Sequence, residues 1–378
     1  MLLEKKRFWC GLGIPLSMLL TWLAHLSPAA TERWFSMGVY RFIAATYGRV
    51  FGYLPFSVAQ FLIVIVPVGM LLYIMYELYS LVRNFVTRVG YNEYRAYSCG
   101  EERKKIASRL VANVLCAVGV LWLMFTLGAG LNYARQEFGY TIGLESRPSY
   151  PHELAALTEI LVQQANALSH QVERNEYGHM VISAPNFRTL SNEAREIFRN
   201  AGDEFPVLAG FVPHTKPVVY SRILSRARIA GVYIPWTMEP HVNADMMPYN
   251  IPATILHELA HFRGIMREDE ANFVAWIVGH HSGHPDFMYS STMLALSYAA
   301  GQLSRVDSDA HARIMGNLCP YVQLDRRANR EYWQQFQGTL ADISQAANDA
   351  YLRANRQEDG VQSYGRVVDW LLAYFREG

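Results

Sequence analysis

Three long apolar stretches, residues 8–26, 54–76 and 110–131, crowd the front of the chain and constrain its fold before any other feature does. A helix rises about 1.5 Å per residue, so about 20 apolar residues cover a hydrocarbon core of roughly 30 Å. Backbone groups in lipid have no water to bond to, and an uninterrupted apolar stretch satisfies them by forming a helix. None of the three holds Asp, Glu, Lys or Arg. One charge at the bilayer centre would cost on the order of 2.5–3.5 kcal/mol on insertion scales. Pro15 and Pro67 fall inside the first two stretches, where membranes tolerate a kink better than water does.

Basic residues set the expected orientation. Lys5, Lys6 and Arg7 precede the first stretch, and Arg83, Arg88, Arg95, Arg103, Lys104 and Lys105 lie between the second and third. Both groups belong on the cytoplasmic side by the positive-inside rule. Ser27-Pro28-Ala29-Ala30 after the first stretch gives it the outline of a cleaved signal, but two further spans favour a retained anchor. The expectation is a multi-pass protein of a bacterial cell membrane with a cytoplasmic N-terminus. Residues 1–135 then form an anchor of three transmembrane helices, and residues 136–378 an extracytoplasmic domain. Residues 32–52 become a short outer loop, in which Trp34, Phe35, Tyr40, Phe42 and Tyr47 suit the membrane interface. Apolar residues make up 51% of the chain and net charge is +1, so the expected partners are the lipid bilayer and a peptide or protein substrate, with no nucleic acid. Cys319 is the one cysteine in the expected extracytoplasmic domain, which excludes a disulfide within that domain.

Within the outer domain, His257-Glu258-Leu259-Ala260-His261 carries the chemistry. Residues i and i+4 of a helix share a face, so the two imidazoles can hold one metal ion with Glu258 beside it as general base. Ile255, Leu256, Leu259, Ala260 and Phe262 give the flanks helical apolar spacing, and Pro252 and Thr254 suit a helix start. His152-Glu153-Leu154-Ala155-Ala156 begins the same way but lacks the second His, and reads as the start of a helix after Pro151.

Catalytic zinc sites commonly use three protein ligands. Gly264 follows His261 closely enough to stop the helix and reverse the chain, and Glu268-Asp269-Glu270-Ala271-Asn272 comes next, leading into an apolar helix over residues 273–278. Glu268 and Asn272 are i and i+4, which suits Glu268 as the metal ligand and Asn272 as a hydrogen-bond partner of a ligand histidine. Glu270 stays open as the alternative ligand, because acids in a first helical turn also serve the helix dipole. His280, His281 and His284 read as a solvated loop. Tyr364 and Arg366 could donate to an oxyanion, but nothing in the sequence fixes their distance from the metal.

The segment from Phe262 to Phe273 resembles a bacterial membrane family catalogued as domain-of-unknown-function family 3810. So do Gly231 to Asn243, Gly360 to Asp369, and Gly130-Leu131-Asn132-Tyr133 after the last apolar stretch. The resemblance implies a zincin-like membrane protein. Glu268-x-x-Ala271-Asn272 is similar to the Glu-x-x-x-Asp segment of gluzincins, which implies Glu268 as third ligand. Asn replaces that Asp here, and the gap from His261 is short. Gly264 matches the metzincin turn, but Arg267 stands where that motif has its third His, and Arg cannot bind zinc.

Helices are expected at residues 152–174 and 192–201, short strands at 217–221, 229–234 and 241–244, and helices again from Ser290 to Tyr374. The expected class is an α+β zincin-like metallopeptidase domain, mainly helical, behind the membrane anchor. The expected function is a zinc-dependent (Zn2+) peptidase: His257, His261 and Glu268 bind metal, Glu258 is the base and Asn272 supports a ligand. The alternative is a non-catalytic, zinc-stabilised membrane sensor or scaffold. Asn250, Pro252, Arg263, Arg267 and Asp269 around the metal helix argue against a site within the lipid.

Overall fold

A computed structural model describes residues 11–86, 94–355, 357 and 366–377. The chain is mostly helical, with a single three-stranded sheet among the described residues. The α+β expectation therefore reduces to a helical protein with a small sheet.

Two helices, not three, are long and apolar enough to cross a membrane among the described residues. Their apolar windows are Val58–Ser80 and Ser108–Gly128, within helices Val58–Val86 (α3) and Tyr94–Gly128 (α4). The first expected span is represented by a shorter helix, Gly13–Leu26 (α1), and residues 8–10 lie outside the described part. Helix α1 packs closely on α4: a Cβ on Gly13 would lie 2.8 Å from the Gly119 carbonyl carbon, the kind of approach that small residues permit between apolar helices. Arg95, Arg103, Lys104 and Lys105, expected in a loop, lie on the backbone of α4, while Arg88 is outside the described residues.

The expected outer loop is also helical. Consecutive helical pieces run through residues 28–53 (α2), with i→i+5 bonding over Thr31–Tyr40 and Ala44–Gly48. Its buried residues Ser36, Tyr40, Ala44, Gly48 and Gly52 recur every fourth position. An ordinary helix of about 3.6 residues per turn would carry such a row around its axis, and wider turns keep it on one side. That side lies against the part of the chain that follows α4: Gly48 approaches Phe262 and Met238, and Gly52 approaches Pro213 and Phe211.

Helices Pro151–Leu168 (α5) and Phe187–Glu204 (α6) replace the expected 152–174 and 192–201. The strands are Lys216–Pro217 (β1), Gly231–Ile234 (β2) and Glu239–Val242 (β3), in the order β1-β3-β2 with β1 parallel and β2 antiparallel to β3. Ser221, expected in a strand, instead begins the helix Ser221–Arg226 (α7). Helices Ile251–Phe262 (α8) and Glu268–His280 (α9) follow, then Pro285–Val306 (α10), Ser308–Met315 (α11), Pro320–Gln334 (α12), Thr339–Ala354 (α13) and Val367–Glu377 (α14). The core gathers around α8 and α9. Trp276, Phe273, Leu256, Phe287 and Leu371 are fully buried there, consistent with α9 being apolar on every side after its first turn.

Candidate metal centre

Helix α8 presents His257 and His261 from successive turns, their ring centroids 4.6 Å apart. Gly264 then adopts φ 82°, a left-handed conformation that glycine takes without penalty. A side chain there would also meet Asn132 Nδ2 at 3.0 Å and Tyr40 Cε1 at 3.1 Å. The turn brings the first residue of α9 back to the histidines. Glu268 Oε2 lies 3.2 Å from His257 Nε2, and Oε1 lies 3.7 Å from His261 Nε2. One donor atom from each of the three falls within 4.8 Å of the others.

The remaining ring nitrogens determine which atoms face inward. His257 Nδ1 donates to Asn272 Oδ1 at 3.0 Å, and His261 Nδ1 donates to the Ile265 carbonyl at 2.8 Å. Both acceptors demand a proton on Nδ1, which leaves the Nε2 lone pairs directed at the shared centre. Asn272 Nδ2 donates in turn to the Tyr298 hydroxyl at 3.1 Å. Burial pushes the His261 imidazole down to about 4. Burial also works to lower His257, but its bond to Glu268 and the nearby carboxylates outweigh that and raise it. Two imidazoles, which must be neutral to bind a metal, and a carboxylate are a donor set that suits zinc.

Glu258 is 2% exposed, and its Oε2 has no hydrogen-bond partner. Burial raises its carboxyl to about 8. It lies against Gly231 at the start of β2, where an added Cβ would stand 2.8 Å from the Glu258 carboxyl carbon. Gly231→Ala is therefore expected to displace this carboxylate and cut any hydrolytic rate by roughly 100-fold, in the range of a misplaced catalytic base. Zinc content should be unchanged in the variant, since the three atoms nearest the added Cβ all belong to Glu258, which is not one of the three donors. Rates and bound zinc measured on the same preparation check both halves.

A cavity of about 880 Å3 opens over the cluster. On one side runs β2, an edge strand whose second edge is unpaired among the described residues. The cavity is also lined by Ser344, Asn348 and Tyr351 of α13, and by Phe125, Ala129 and Tyr133 at and just after the end of α4.

The other acids lie elsewhere. Glu270 is 1% exposed and sits 3.4 Å from Arg267 Nη1, its carboxyl raised to about 8 by burial. Asp269 faces Arg366 Nε at 3.5 Å. Arg366 is thus engaged with Asp269, and Tyr364 lies outside the described residues. His281 bonds Glu204 and Tyr374, and His280 stacks on Trp276, so this second group of histidines does not join the cluster. Gly231, Tyr298 and α13 have no role at the site in the sequence reading. Only Gly231 carried a signal, as a glycine opening a short strand, which often marks close approach by another group.

No curated protein and no solved structure matches the chain. One family model matches residues 35–372, from α2 through α8 into α14. By that match the chain belongs to the family described as Protein of unknown function (DUF3810).

Proposed function

We propose that this protein is a membrane-anchored, zinc-dependent peptidase of zincin-like architecture, its site outside the cytoplasm. The observation that carries this reading is Glu258, a buried carboxylate with an unpartnered oxygen, beside three converging metal donors and open to a cavity. A site that only stabilises a fold needs no such base and usually closes with four protein ligands. That favours catalysis over the sensor or scaffold alternative.

His257, His261 and Glu268 would hold the ion, with Asn272 and the Ile265 carbonyl fixing the two rings. When bound, zinc supplies Lewis acidity, lowers the pKa of coordinated water to about 7 and favours the ionised form of nearby Glu258. Glu258 Oε2 accepts the water proton and returns it to the leaving amine. An extended peptide pairs with the free edge of β2 through backbone hydrogen bonds, which places a scissile bond next to Gly231 and Glu258.

Metal analysis of the purified full-length protein tests the ligand set. Wild type and Glu270→Gln should each bind one zinc per chain, and Glu268→Ala should bind it far more weakly. Zinc lost with Glu270→Gln alone, or absent from wild type, overturns the assignment. Asn272→Ala should weaken zinc by about 10–100-fold, the usual effect of removing a partner of a ligand histidine. Competition with a chelator of known affinity measures that change, and unchanged affinity would mean Asn272 does not orient His257.

A further inference from the structure

The candidate cleft is continuous with the membrane-spanning part of the chain. Phe125 lies within the apolar window Ser108–Gly128 and also lines the cavity. It stands three residues, or about 4.5 Å of helix, before the end of α4. Strand β2 leads from the reactive carboxylate towards the same helix. Gly231 abuts Glu258 at one end of the strand, and at the other Pro235 abuts Gly128. Just beyond it Trp236 Nε1 donates to the Leu121 carbonyl at 2.9 Å. The five residue steps from Gly231 to Trp236 span at most about 17 Å of extended chain.

Exposed apolar side chains next to the apolar helices have the character of a membrane interface. Trp34 and Phe42 on α2 are 69% and 70% exposed. Val219, 78% exposed, donates its amide to Gln60 near the start of α3 at 2.9 Å. Exposed aromatic and aliphatic side chains flanking apolar helices mark the level of lipid headgroups.

We infer that the cleft takes the membrane-proximal stretch of a membrane-anchored polypeptide. The inference rests on the peptidase reading and adds the substrate class to it. A peptide paired along β2 reaches the bilayer within a few residues of the bond at Gly231. Cleavage is therefore set by distance from the membrane, falling about 4–8 residues from the lipid at roughly 3.3 Å per residue.

The test uses zinc-loaded full-length protein in phosphatidylethanolamine–phosphatidylglycerol vesicles with three probes. These are a mixed-sequence tail fused directly to a single transmembrane segment at either end, the same tail behind a long Gly/Ser spacer, and the free tail. Mass spectrometry locates the cuts. The directly anchored tail should be cut in the narrow window near the bilayer, at least about tenfold faster than the spaced tail, which has similar local concentration. Equal or faster cutting of the spaced or free tail, or cuts scattered along the anchored one, overturns the inference.

A second readout needs no turnover. A fluorescent amino acid replacing Ala347, which lines the cavity, should be quenched by headgroup spin-labelled lipid. Absence of quenching also overturns the inference. Quenching with no probe cleaved overturns the peptidase reading, and the substrate class with it, while the cleft's place at the bilayer stands.

Discussion

Glu258→Gln is expected to abolish hydrolysis while the protein keeps its zinc. The carboxylate lies outside the three-donor cluster, so replacing it with an amide of the same shape removes no ligand. Its buried surroundings accept a neutral group without an ionic penalty, since burial already raises the carboxyl to about 8. What the variant loses is the proton acceptor, and positioned acid–base groups typically contribute about 10²–10⁴-fold to rate. The measurement pairs turnover of a quenched mixed-peptide library with zinc stoichiometry on one sample. More than a tenth of wild-type turnover would remove Glu258 from the base role. Zinc loss would instead mean that the residue is part of the metal site.

Much of the candidate centre was legible because its parts are close in sequence and obey the helix period. His257 and His261 share a face of α8, Glu268 and Asn272 share a face of α9, and Gly264 marks the turn between them. Each rests on spacings of three or four residues, and the structure realises each geometrically. Helices α3 and α4 were legible for a different reason, since about 20 uncharged apolar residues have few other forms.

The rest depends on contacts between distant segments, which leave little local trace. Tyr298 meets Asn272 from 26 residues away, and α13 reaches the cleft from still further. Residues 32–52 carry aromatic side chains that suit an interface, and that signal obscured the row of small and polar residues at every fourth position. This row is a poor match to an ordinary helix period, so the segment looked like a loop. Tyr40 shows what the row is for. Its hydroxyl donates to the Phe262 carbonyl at the end of α8 at 3.0 Å and lies 3.3 Å from the Tyr233 hydroxyl on β2. Arg135 adds a second tie, bonding Glu32 on α2 and the Arg263 carbonyl just after α8.

The tie between the sheet and the apolar helix α3 predicts the largest loss of stability. Lys216 on β1 and Glu239 on β3 form an ion pair at 2.5 Å, with side chains 7% and 0% exposed. Glu239 also accepts the backbone amides of Val58 and Ala59, the first residues of α3, at 3.1 and 2.7 Å. Lys216 Nζ donates to the carbonyls of Phe51 and Phe56 just before that helix. One buried pair thus caps α3, a helix long and apolar enough to cross a membrane, and fastens it to the sheet that carries the cleft strand. Lys216→Met leaves Glu239 buried without its counter-charge, a change that costs about 3–5 kcal/mol. At about 2–4 °C per kcal/mol for domains of 150–250 residues, thermal unfolding in detergent should begin roughly 10 °C lower. Adding Glu239→Gln removes the stranded charge while keeping a carbonyl for the α3 amides, so the double variant should recover about half the loss. Full recovery is not expected, because the Phe51 and Phe56 carbonyls lose their donor, at about 1–3 kcal/mol for a buried group left unpaired. A single variant within 2 °C of the parent, taken as roughly 1 kcal/mol on the same scale, would show that the pair does not fasten the helix. A double variant no more stable than the single would show that the cost lies in the lost Lys216 hydrogen bonds, not in the isolated charge.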